Sequence, residues 1–188
     1  MTSYVLKAHE ERGALPESWR VHPRCPFCDI LHGKSLAYKV YEDDKTIAIL
    51  DIAPLRPGHT LVIPKLHIPR VSELPDEFAA ACGLVVSEVS RAIAGALQNT
   101  SLNVVCNQEY AQAVPHVHYH IIPAPRSGSN PGASASTTPG AVGDTAERRD
   151  RVTMPLTEQE IHWRELEVRS QLDEGDAMRL VESIRAHL

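Results

Sequence analysis

From Phe78 through Cys82, Val85, Val89 and Ile93 to Leu97, apolar side chains recur at steps of three and four residues. That spacing winds onto a single stripe of an α-helix and predicts a helix over 76–97. Pro75, Asp76 and Glu77 open it, with acidic side chains in the first turn where the helix dipole favours them. The flanking stretches carry a different period. "AYKVYEDDKTIAIL" reads as two strands turning at Asp43-Asp44-Lys45, and "HTLVIP" as a third strand ended by Pro64. "SLNVVCN" and "HVHYHII" follow the helix as a fourth and a fifth. Strands, a helix, then strands predict an α+β fold with an antiparallel sheet. The 188 residues suit one such domain with an appendage.

The appendages differ in composition. Residues 1–24 carry little pattern and read as an extension. "SGSNPGASASTTPGAVGDT" opens a linker over 127–156, too poor in apolar side chains to offset its ordering entropy. Residues 157–188 read as helical: Thr157 and Glu160 form a capping-box pattern, and Leu172, Met178, Val181 and Ile184 give partial amphipathicity. Gly175 is expected to break that segment in two. "MTSYVLKAHEERGALPESW" has no apolar run, so no signal peptide is expected, and no stretch reaches the length of a membrane span. A net charge of −5 argues against a protein that coats nucleic acid. Four cysteines are too few for a disulfide scaffold and point to a reducing compartment, cytosol or nucleus. Cys82 and Cys106, in apolar runs, read as small buried hydrophobes.

In "PHVHYHII" the side chains of a strand would alternate faces, placing His116, His118 and His120 on one and Val117, Tyr119 and Ile121 on the other. Three chemistries suit such a row. Imidazoles two apart can chelate a metal. One can attack phosphorus while its neighbours fix its tautomer. The row can also bind an anion passively. Separately, "CPFC" places Cys25 and Cys28 at the spacing of one half of a tetrahedral zinc site, with histidines needed to complete it.

"HVHYHII" resembles the histidine triad (HIT) motif, His-φ-His-φ-His-φ-φ with φ apolar. "CPFCDI" and "VYEDDKTIAILDIAPLRPGHTLVIPKLHI" stand before it in the order and spacing of the family's Hint-type branch. The resemblance covers residues 25–126. It implies a five-stranded antiparallel sheet with a long helix, a two-fold dimer built on 76–97 and 101–107, and hydrolysis at the α-phosphate of purine nucleotides. His118 would be the nucleophile, His120 would contact the phosphate, and His59 would support the polar network. Asp51 would accept from the ribose hydroxyls, with Ile52 and Ile30 beside base and sugar. Asn107 and Gln112 fall where the family contacts substrate. His67 and His116 are the positions that some relatives use with the CxxC pair, which implies structural zinc on Cys25, Cys28, His67 and His116. A histidine in third place, His120, where transferase branches carry glutamine, favours hydrolase chemistry.

The chain departs from the pattern just before the triad. "NQEYAQAVPH" is about two residues shorter than the family loop and has lost its glycines. Ala113 stands where a hydroxyl residue usually donates to phosphate or leaving group, and Ala cannot donate. Pro115 replaces an apolar or aromatic residue, and Arg126 follows the triad where some relatives are basic. A nucleotide-binding protein with weak or lost catalysis is the alternative these changes favour.

Overall fold

A computed structural model of the chain describes residues 22–125 and 171–188. The expected extension up to residue 21, the linker, the Thr157 capping pattern and Arg126 lie outside the described residues. Helix α1 (Pro26–Leu31) leads into strands β1 (Lys39–Glu42), β2 (Thr46–Leu50) and β3 (Thr60–Pro64). A 3-10 turn (Val71–Glu73) precedes helix α2 (Asp76–Leu97), strands β4 (Leu102–Cys106) and β5 (Tyr119–Pro123), and helix α3 (Glu174–Arg185). The strands form one five-stranded sheet in the order β1-β2-β3-β5-β4, every neighbouring pair antiparallel. The fold is α+β, with the long helix and the C-terminal helix added to the sheet.

Local chemistry explains the turns. The Asp43 carboxylate accepts from the amides of Lys45 and Thr46 and from the Thr46 hydroxyl, closing the β1–β2 hairpin. Gly58 holds φ +86°, and a Cβ there would stand 2.7 Å from Leu97 Cδ1. The positive φ favours glycine, and the missing Cβ lets the β2–β3 loop lie against Leu97 at the end of α2, one residue before His59.

The sheet is covered on both faces. Ala48, Leu50, Val62 and Ile121 pack with Val85, Val89 and Ile93 of α2 and with Ala177, Val181 and Ile184 of α3. Ile47, Ile49, Leu61 and Ile63 pack with Cys25, Phe27, Cys28 and Leu31 around α1. The helix stripe read from the sequence is the buried one, although Leu97 is only partly covered. By length and composition α2 could cross a membrane; here its stripe faces the sheet. Cys82 is fully buried and Cys106 half-buried, both as free thiols.

Two expectations are corrected. The fifth strand begins at Tyr119, so His116, Val117 and His118 approach the sheet without pairing in it. Continuing the β3–β5 register would set Val117 opposite Pro64, which has no N–H to give. The Pro64 carbonyl is already taken, accepting from His116 Nε2 at 2.8 Å. Gly175 breaks nothing: it lies in the first turn of α3, where its N–H donates to the Asp173 cap at 2.9 Å. Residues 171–173, just before the helix, carry no regular element.

Candidate active site and metal centre

His118 is buried, and its Nδ1–H donates to the His116 carbonyl at 2.7 Å. A carbonyl only accepts, so this bond assigns the proton to Nδ1 and leaves the lone pair on Nε2, across the ring. The Phe27 ring stands edge-on to His118, centroids 5.2 Å apart and planes at 68°. Burial lowers the His118 pKa, opposed by the His116 carbonyl and by the Asp51 charge. The imidazole is thereby kept in the neutral, nucleophilic form.

His59 and His120 form a second, directional unit. His59 Nδ1 accepts the Leu55 backbone N–H at 3.2 Å, and its Nε2 lies 2.9 Å from His120 Nδ1. Because Nδ1 must offer a lone pair to a backbone donor, we assign the His59 proton to Nε2, which donates to His120 Nδ1. His120 then carries its own proton on Nε2, as a donor. The His118 and His120 rings lie 4.8 Å apart. Asp51, nearly buried, places Oδ2 3.5 Å from His59 Nδ1 and accepts the Ala53 N–H on Oδ1 at 2.9 Å. Asp51, His59 and His120 are close enough together to suggest a metal site. The contacts favour a relay instead, since His59 Nδ1 accepts from the Leu55 N–H and its Nε2 donates to His120. Both His59 nitrogens are thereby engaged within the protein.

The cysteine pair meets its expected partners. Cys25, Cys28, His67 and His116 offer ligand atoms all within 4.8 Å of one another. His67 Nδ1 lies 3.2 Å from His116 Nδ1; Cys25 Sγ is 3.5 Å from His116 Nδ1, and Cys28 Sγ is 3.4 Å from His67 Nδ1. Tetrahedral zinc with its usual bond lengths needs ligand-to-ligand edges of roughly 3.3–3.8 Å. The donors therefore fit such an ion. His116 Nε2–H is bonded to the Pro64 carbonyl, which turns Nδ1 toward the centre. Burial holds the His116 pKa down at about 3, keeping the ring neutral as a ligand must be. Burial also pushes the Cys28 thiol up to about 11, a shift that a bound cation would reverse. The His22 ring stacks on His67, centroids 5.2 Å apart.

The remaining predicted residues are placed as follows. Ile30 is half-buried beside the α1 cluster, and Ile52 is 65% exposed next to Asp51. Asn107 is engaged inside its own loop, and Gln112 ties that loop to Pro69. Asn107 donates to the Ala111 carbonyl; Gln112 donates to the Pro69 carbonyl at 2.8 Å and accepts the Glu109 N–H at 2.8 Å. Glu109 and Ala111 hold positive φ, 62° and 55°, a left-handed backbone that favours glycine. Arg70 braces the loop through Glu109 at 2.6 Å. Ala113 and Pro115 are exposed. Sequence reasoning missed Phe27 and the Leu55 amide. Phe27 had a signal, its place between the two cysteines; a backbone amide leaves none.

Comparison with known proteins agrees with this geometry. A profile of the HIT domain family matches residues 33–127. The chain is 43% identical over 109 residues to "Adenylylsulfatase HINT3" of Arabidopsis thaliana, covering 57% of this chain and 55% of that protein. It thus spans about half the length of that relative. It is 42% identical over 111 residues to "Protein hit" of Bacillus subtilis, covering 58% of this chain and 77% of that one. Among solved structures, a Zn-bound histidine triad family protein from Mycobacterium smegmatis superposes with a TM-score of 0.57 at 26% identity, over 87% of this chain and 94% of that one. The profile, the relatives and the five-stranded sheet agree: this chain belongs to the HIT domain family.

Proposed function

We propose that the protein hydrolyses purine nucleotide derivatives at the α-phosphorus, acting on nucleoside phosphoramidates or adenylated compounds. The observation that carries this reading is the His118 Nδ1–H bond to the His116 carbonyl, which leaves Nε2 able to attack. In the first step Nε2 bonds to phosphorus and the leaving group departs with its electron pair, giving a nucleotidyl-histidine. Water then displaces the imidazole and releases the nucleoside monophosphate. His120, held by His59, donates its Nε2–H to a phosphate oxygen as negative charge builds. Asp51 accepts from the ribose hydroxyls, with Ile52 and Ile30 beside the sugar and base. Asn107 and Gln112 shape the substrate-side loop through the bonds described above.

Leaving-group chemistry narrows the class. An amine must collect a proton as it departs, whereas sulfate or a carboxylate need not. Ala113 supplies no donor, so adenylated anions suit this site better than amides. The plant relative's name, an adenylylsulfatase, points the same way. We also propose that Cys25, Cys28, His67 and His116 hold a structural zinc ion, which would tie α1 to the sheet. Strand β4, at the sheet edge with Val104 45% exposed, and α2 are the proposed contacts of a homodimer.

The test is turnover of adenylyl sulfate and of AMP-amine conjugates by wild type and His118→Ala, with mass spectrometry after acid quench. A nucleotidyl adduct on His118, and turnover abolished in the variant, supports the reading. Equal, slow turnover by both proteins would reject it. Tight AMP binding with no adduct would instead favour the nucleotide-binding alternative, for which the absent donor at Ala113 is the argument.

A further inference from the structure

Helix α3 follows the family match, which ends at residue 127, yet it is packed as deeply as the core it joins. Ala177 and Ile184 are fully buried, in one cluster with Leu50, the residue before Asp51. Just before the helix, the Leu172 N–H donates to the Ile52 carbonyl at 2.9 Å, one residue after Asp51. The C-terminal segment therefore grips the chain on both sides of Asp51, by apolar packing on one and by a backbone bond on the other. Arg185 Nε–H, donating to the Val40 carbonyl at 3.3 Å, ties the far end of the helix to β1.

The loop so gripped carries the relay. Asp51 N–H donates to the His59 carbonyl, Ala53 N–H to the Asp51 carboxylate, and Leu55 N–H to His59 Nδ1. All of these bonds run within the loop itself. Gly58 against Leu97 fixes where the loop leaves, and Leu172 against Ile52 fixes where it starts. We propose that the C-terminal segment, with Leu172 as its positioning residue, sets the sugar-side loop that bears Asp51 and thereby tunes nucleotide affinity. The nucleotide half of this proposal rests on the function proposed above; the mechanical half does not.

The experiment compares Leu172→Pro, which removes the N–H, with Leu172→Ala, which keeps it while also losing the leucine side chain. Loss of one such bond predicts that AMP binds about three- to tenfold more weakly to L172P than to L172A. The adenylyl sulfate KM should rise in step while kcat stays within about twofold. Hydrogen exchange on the same proteins should show the Ala53 and Leu55 amides less protected in L172P. In wild type, should L172P fail to fold, the Leu172, Ala53 and Leu55 amides should open together. Equal AMP affinity in both variants with unchanged loop protection would overturn the proposal. So would a loss confined to kcat, or a Leu172 amide that exchanges freely in wild type while Ala53 and Leu55 stay protected. If wild type binds no AMP but loop protection still follows Leu172, the nucleotide reading fails and the mechanical one is upheld.

Discussion

The relay from Leu55 through His59 to His120 makes a prediction that one pair of substitutions can separate. His59 uses Nδ1 to accept a backbone N–H and Nε2 to donate to His120. Asparagine places its carbonyl oxygen near the Nδ1 position, and glutamine places its amide nitrogen near the Nε2 position. His59→Asn should therefore keep the bond to Leu55 and lose the one to His120; His59→Gln should do the reverse. A neutral hydrogen bond contributes about 0.5–1.5 kcal/mol to stability, so both variants should lose comparable stability. Their chemistry should differ. With Nδ1 unsupported, His120 can take the other tautomer and withdraw the Nε2–H from the developing charge. Removing a donor of this kind costs about 2.7–4 kcal/mol, or 10²–10³ in kcat. H59N should fall by about 100-fold, whereas H59Q should stay within about tenfold of wild type. The assay is steady-state turnover of adenylyl sulfate, with circular dichroism melts to equate folding. An H59N variant as active as H59Q would refute the assigned direction of the relay.

Other outcomes follow from the structure. Protein purified without chelators should hold one zinc per chain by mass spectrometry, and Cys28→Ser or His67→Ala should weaken binding by at least about 100-fold, beyond the usual cost of losing an outer-shell partner. Ala111→Gly, at φ 55°, should raise stability by about 0.5–1 kcal/mol in chemical denaturation. Ile184→Ala, at a fully buried site, should cost about 2–5 kcal/mol, a loss too large for a loosely attached helix to show.

Much of the fold was legible because burial imposes a period. The stripe from Phe78 to Ile93 records the side that meets the sheet, and Ile47 to Leu50, buried on both faces, show as an unbroken apolar run. The Asp43 turn was legible because its carboxylate performs the capping itself. The start of β5 was not, because it depends on what lies across the sheet: Pro64, remote in sequence, has no donor to offer Val117. The four-residue metal cluster was accessible through the resemblance, since spacing showed only its cysteine half. The direction of the relay and the grip of Leu172 on Ile52 were invisible for another reason. They run through the Leu55 amide and the Ile52 carbonyl, backbone groups that do not depend on residue type.

His116 shows why alternation alone could not divide the histidines among tasks. Its side chain faces Cys25 and His67, while its carbonyl accepts the His118 proton. Ring and backbone of one residue thus serve the proposed zinc centre and the proposed nucleophile respectively. A substitution at His116 removes only the ring, so its first effect belongs to the metal centre. One path to a loss of chemistry is displacement of the carbonyl, which Val117 resists by donating its N–H to the Ile68 carbonyl at 2.8 Å. Phe27 offers a second path, because its ring touches both His116 and His118 and sits between the two cysteines. The proposed metal centre and the proposed nucleophile are therefore neighbours through one peptide and one ring, so the three histidines form one row with two addresses.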